Sequence, residues 1–231
     1  VLLLANIAPR WRPWGWWRIA RGAQSWRGVP GLRLAKVMGS GFEGGFGLRP
    51  SVSRQGVFLV FARQADADRF LATSSAIQTY RDRADEFCVI TLRAWSARGS
   101  WGGQSLTPSR APPPDGGPAA TVAALTRASI RPGRAAAFWR LAPATQSAIE
   151  SAPGCLLAVG LGEAPLLRQA TFSVWTSVAA MDAYARSGPH LTAIREAHRV
   201  GYFSESMFVR FVPVSMRGRW KGQSYGDGFA A

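Results

Sequence analysis

The strongest constraint on this chain is that it repeats itself. Trp101-Gly102-Gly103-Gln104-Ser105 returns as Trp220-Lys221-Gly222-Gln223-Ser224, after Ala97-Arg98-Gly99-Ser100 and Met216-Arg217-Gly218-Arg219 respectively. Upstream, the run Val57 to Phe61 matches Thr171 to Trp175, and each leads into a helix whose first turns hold small and acidic residues. An Arg-Pro precedes an aromatic-rich helix near the start of each half, at Arg12-Pro13 and Arg131-Pro132. Self-similarity at a period of about a hundred residues means two copies of one unit, each with a hydrophobic face to bury.

Each half reads strand, helix, strand, strand, helix, strand. The first has expected strands at 1–7, 32–38, 56–62 and 87–95 and helices at 13–24 and 65–84. The second has strands at 122–130, 154–160, 168–175 and 206–214 and helices at 133–149 and 178–200. This is the ferredoxin-like β-α-β-β-α-β order, so the class is α+β. The chain divides into an N-terminal half, 1–106, a Pro/Gly linker, 107–119, and a C-terminal half, 120–231. Two tandem ferredoxin-like repeats cover each other's sheets by closing together, giving a fused dimeric α+β barrel.

Composition narrows the function. Ten Trp and twelve Phe suit a core, and also a large flat apolar ligand. The net charge of +15 points to an acidic partner. Its arginines are scattered and no recognition motif accompanies them, so nucleic acid is not expected; an anionic membrane surface or an acidic redox partner fits better. Trp14, Trp16 and Trp17 with Arg12, Arg18 and Arg21 fit either a membrane-surface helix or packing on the sheet. Cys88 and Cys155 lie far apart in apolar surroundings and read as buried free thiols, which fits a reducing cytoplasm. Val1 to Ile7 is too short to span a bilayer and reads as a strand, and the missing initiator Met implies a trimmed start.

Gly39-Ser40-Gly41-Phe42-Glu43-Gly44 matches G-x-G-x-x-G, but Gly45 to Pro50 cannot open the helix a dinucleotide site needs. It reads as a loop between strands, near the barrel mouth. No catalytic triad is apparent, and two cysteines with two histidines are too scattered for a structural zinc site. The two histidines are His190 and His198. His190, Ile194 and Ala197 share one helical face after the break at Gly188-Pro189, so His190 points inward. His198 sits near the helix C-terminus, where the dipole stabilises an imidazolium. Aligning the repeats sets Ile77 opposite His190 and leaves about six additional residues in the second half, around 201–206. The fold therefore does not demand the imidazole. It reads as a core or surface histidine or as an axial haem ligand, and haem asks for only one such side chain.

The segments Ala124 to Ile130, Phe138-Trp139, Val159 to Leu167, Gln169 to Trp175, Gly188-Pro189-His190 with Ala193-Ile194-Arg195, Phe203-Ser204-Glu205 and Arg210-Phe211 occur in an order and spacing that resemble the spheroidene monooxygenases, the acyclic carotenoid 2-ketolases of phototrophic bacteria. Lys36 to Gly41 and Arg98 to Trp101 extend the resemblance into the first half, which departs most at Arg10 to Trp26 and Phe42 to Arg49. The resemblance implies a haem b-dependent monooxygenase that oxidises C2 of an acyclic carotenoid twice, to a ketone, with O₂ and electrons from a ferredoxin-type donor. It makes His190 the axial iron ligand. Arg195, Arg127 and Lys36 are then candidates for the haem propionates, and Gln169 and Ser173 for the distal side. Other expectations stay open: a haem dehydratase or peroxide-using enzyme of the same fold, a non-catalytic haem carrier or sensor, and a cofactorless lipid-binding barrel. The expected location is the cytoplasm, with a peripheral membrane contact left open, and the oligomeric state is undetermined.

Overall fold

The apolar runs become strands with two buried faces. In β1 (Leu2–Ile7), Leu2 and Leu4 point into one cluster and Leu3, Ala5 and Ile7 into another. In β5 (Val122–Ile130), Ala123 and Leu125 join the first cluster while Val122 and Ala124 face away from it. The shared cluster is the interior of a barrel, and the outer faces are covered by helices. These relations come from a computed structural model that describes residues 1–108, 120–164 and 166–226. Residues 109–119 of the expected linker lie outside the described residues.

The first half continues with α1 (Arg12–Arg21), β2 (Leu32–Gly41), β3 (Pro50–Phe61), α2 (Gln64–Thr73), α3 (Ser75–Arg83) and β4 (Ala84–Gly99). The second continues with α4 (Ala135–Glu150), β6 (Cys155–Ala164), β7 (Arg168–Trp175), α5 (Val178–Ala185), α6 (Gly188–Val200), β8 (Phe203–Trp220) and a short β9 (Gln223–Tyr225). The strand orders β4-β1-β3-β2 and β8-β5-β7-β6 are the same arrangement twice. Pairing of β2 with β6 at Gly39↔Gly162, and of β4 with β8 from Cys88↔Gly218 to Gly99↔Met207, closes an antiparallel barrel of the first eight strands. The expected α+β barrel of two ferredoxin-like repeats is the observed fold.

The repeated Trp motif closes the barrel. Trp101 and Trp220 are each 1% exposed and sit in the interior. Each is followed by a tight turn whose central residues have positive φ: Gly102 and Gly103 in one, Lys221 and Gly222 in the other. That is the hairpin geometry that favours glycine. Each turn is held by a carboxylate from the opposite half. Glu205 of β8 accepts from the Gly103 N–H and Ser100 hydroxyl, both at 2.8 Å, and Glu86 of β4 accepts from the N–H groups of Lys221 (3.2 Å) and Gly222 (2.7 Å).

Three expectations shift. Each second helix is broken in two, at the extended Ser74 and at Arg186-Ser187. Hydroxyl groups bond back to carbonyls at both breaks, from Thr73 to Arg69 and from Ser187 to Ala183, and Gly188 takes a positive φ before Pro189. The additional residues of the second half lengthen α6, which has 13 residues against 9 in α3, and supply Gly201-Tyr202 before β8. Cys88 is buried and its thiol is pushed up to about 12 by desolvation, but Cys155 at the start of β6 is only half-buried. Among the described residues, no helix is long and apolar enough to cross a membrane.

Desolvation works against ionising Glu205, but the N–H groups of Gly103 and Gly102, the Ser100 hydroxyl and Arg127 outweigh it and hold the carboxyl at about 2, below its ordinary 4.5. A depressed carboxyl stabilises the fold above the unfolded-state value and loses that contribution as pH falls through the folded one. Urea unfolding at a series of pH values should therefore show stability lost between about pH 4.5 and 2. Glu205→Gln should flatten that window and cost about 1–3 kcal/mol at neutral pH. An unchanged pH profile in the variant would remove Glu205 from this role.

Candidate functional site

Two cavities open in the described residues: one at an end of the barrel, lined by Phe58, Val60, Leu92 and Phe211, and one outside the barrel in the C-terminal half, which holds the imidazole. The second, of about 230 Å³, separates the outer face of β5, β7 and β8 from helices α4, α5 and α6. Its floor carries the facing pair Thr126 and Thr171, with Ser173 next on the same face. Its walls are apolar: Phe138, Leu141 and Ile149 from α4, Met181 from α5, Ala193 and Ala197 from α6, and Phe208 from β8. Phe46 reaches over from the β2–β3 hairpin of the other half.

His190, the third residue of α6, opens onto this space. Its Nδ1 lies 3.3 Å from the carbonyl of Ala185. A carbonyl oxygen only accepts, so Nδ1 carries the proton and the neutral ring leaves Nε2 with a free lone pair. Burial pushes the imidazole below its ordinary value, against a smaller opposing effect from Ala185, which favours that neutral form. The Tyr184 ring lies 4.6 Å from the imidazole centroid, and its hydroxyl donates to the Thr145 carbonyl at 3.3 Å. The ring is thus held on two sides. Among the described residues, no group of three or more His, Cys, Asp and Glu is placed to hold a metal ion. This donor set, one oriented imidazole in an apolar cleft, could supply a single nitrogen ligand to a cofactor that brings its own remaining ligands.

The N-terminal half shows the same place filled. Ile77 is also the third residue of its helix, and it is 3% exposed. Around it, Trp26 stacks on Tyr80 at 6.3 Å, Trp14 meets Tyr80 edge-on at 4.9 Å, and Phe70 packs against Trp26 at 5.9 Å. The two halves share a backbone plan, and only one keeps a cavity with an imidazole.

The other predicted site residues are dispersed. Ser173 lines the cavity, and its hydroxyl accepts from the Trp175 indole at 2.9 Å. Gln169 stands on the same strand, paired with Gly162, and is not among the lining residues. Arg195 is exposed on α6. Lys36 and Arg127 share the barrel interior with Trp101, across the sheet from His190. There Glu163 pairs with Lys36 at 3.0 Å and Arg127 at 3.6 Å and accepts from Trp101 at 2.6 Å, while Glu205 pairs with Arg127. The cation that does line the cavity is Arg210 of β8, paired with Asp182 at 2.8 Å. Its signal was the alternation of β8, where Met207, Val209 and Phe211 point into the barrel and Phe208 and Arg210 point out. His198 is exposed.

Comparison with known proteins gives one direction. A family profile described as "Antibiotic biosynthesis monooxygenase" matches residues 121–196, the part that builds most of the cavity. The chain is 57% identical to the spheroidene monooxygenase of Rubrivivax gelatinosus, over 98% of this chain and 86% of that one. It is 36% identical to the spheroidene monooxygenase of Rhodobacter capsulatus, over 84% of this chain and 80% of that one. A solved structure from Lactobacillus acidophilus, 15% identical, aligns with 98% of this chain and 97% of its own at a TM-score of 0.41.

The geometry around His190 has a direct spectroscopic consequence. In cofactor-free protein at neutral pH, ¹⁵N-edited NMR should find His190 neutral with its proton on Nδ1. A proton on Nε2 would contradict the hydrogen bond to Ala185 and close the lone pair to a metal.

Proposed function

Since the chain belongs to the spheroidene monooxygenase family, we propose that it is a haem-dependent monooxygenase that oxidises an acyclic carotenoid at C2 to the ketone, using O₂ and electrons from a ferredoxin-type donor. The observation that carries the haem assignment is His190, an imidazole with an open Nε2 facing an apolar cavity, where the repeat has Ile77.

In this reading each residue has a physical task. Nε2 of His190 would hold the iron, the Ala185 carbonyl fixes the tautomer, and the Tyr184 ring limits rotation. When bound, haem supplies the O₂ activation that side chains do not. The apolar walls exclude water and accept the substrate's hydrocarbon, while Thr126, Thr171 and Ser173 put hydroxyls on the floor. Arg210 is the cation available to a haem carboxylate, and Asp182 keeps that guanidinium at the cavity edge. Lys36 and Arg127, engaged by Glu163 in the barrel interior, serve the barrel instead. The name of the relatives makes spheroidene the first substrate to test.

The test is turnover of haem-loaded protein with spheroidene, a reduced ferredoxin-type donor and isotopically labelled O₂. The expected product is the C2 ketone carrying labelled oxygen. Ketone labelled from water, or turnover that needs no electron donor, would overturn the oxygenase reading.

A further inference from the structure

The Trp-rich segment resolves into two sets. Trp11, Trp14 and Trp26 pack into the core between α1 and the sheet, so the helix is already anchored. Trp16 and Trp17 instead remain 54% and 49% exposed. The Trp16 indole donates to the Val52 carbonyl at 2.9 Å, which sets it beside the β2–β3 hairpin. That hairpin exposes Val52, Phe42 and Leu48, the last 60% exposed. Its tip is closed by Phe42 N–H donating to the Arg49 carbonyl at 2.7 Å. The Arg49 guanidinium lies 3.9 Å from the centre of the Phe42 ring, and Arg21 lies 4.8 Å from that of Trp17.

The charge around these side chains has one sign. Residues 1–54 carry eight arginines and Lys36 against a single acid, Glu43. Arg10, Arg21 and Arg49 are exposed. Bulky apolar tips ringed by arginine, with indoles at the boundary, match the layered chemistry of a lipid surface: anionic phosphates above and acyl chains beneath. An acidic protein would satisfy the arginines and leave the apolar tips uncovered.

We propose that α1 and the β2–β3 hairpin form a docking face for an anionic lipid bilayer. Trp16, Trp17, Phe42 and Leu48 enter the headgroup–acyl boundary, and Arg10, Arg21 and Arg49 meet the phosphates. The same hairpin turns Phe46 inward onto the cavity. Provided the cavity is the oxidation site proposed above, docking places its entrance beside the lipid that dissolves an apolar substrate.

Sedimentation of the purified protein with vesicles tests this without substrate or electron donor, so it stands or falls separately from the oxygenase reading. Wild type should pellet with phosphatidylcholine vesicles containing phosphatidylglycerol, less so at high salt, and poorly with phosphatidylcholine alone. Trp17→Ser with Leu48→Ser should weaken binding about tenfold or more, while Leu156→Ser, at an exposed apolar position on β6, should leave it unchanged. Circular dichroism checks that the variants fold. Arg21→Glu with Arg49→Glu, both at exposed positions, should also abolish binding and provides a second reading of the same face. The proposal is overturned if wild type ignores both vesicle types, if folded variants bind as wild type does, or if light scattering finds a dimer that the Trp17 and Leu48 changes dissolve.

Discussion

The barrel depends on an exchange between its two halves. Glu205 of the second half holds the turn after Trp101 of the first, and Glu86 of the first holds the turn after Trp220 of the second. Each carboxylate satisfies backbone N–H groups that would otherwise lack partners at a tight turn. The tryptophans so positioned fill the interior, where Trp101 stacks on Phe58 at 5.7 Å. The exchange needs both halves and a closed β4–β8 ladder, so a repeat taken alone would lose both its cap and the cover for its inner sheet face.

Filling the barrel decides where function can go. Beyond the space at one end of the barrel, the layer between sheet and helices can hold a site, and the halves treat it differently. The first packs it with Trp26, Phe70, Ile77 and Tyr80 and gains apolar burial. The second leaves a cavity lined by His190 and forgoes that burial. An apolar cavity left unfilled costs stability. A bound apolar ligand would remove that cost. Of the four residues by which α6 exceeds α3, Ala197 lines this cavity, and Tyr202 beyond them reaches its edge.

The repeat made the fold legible, because two weak patterns in register reinforce each other. Residues such as Leu2 to Ala5 predicted strands correctly, yet they hid which face was which. With apolar residues on both faces, the two-residue alternation carries little contrast. That is why charge and an expected inward orientation make Lys36 and Arg127 candidates for haem propionates, whereas parity sets them in the barrel with Glu163. The one strand with readable alternation near the site was β8, and it marks Arg210. His190 was legible for a different reason: an imidazole at a position where the repeat tolerates isoleucine needs an explanation other than folding.

The central claim is that the His190 imidazole is the axial ligand of a haem in the C-terminal cavity. Its most direct measurement is the absorption spectrum of haem-titrated wild type and His190→Gly, each with and without free imidazole. The account predicts an imidazole-type Soret band in wild type, its loss in His190→Gly, and its return when imidazole fills the space. A His190→Gly protein that binds haem with an unchanged spectrum and does not respond to imidazole would contradict it.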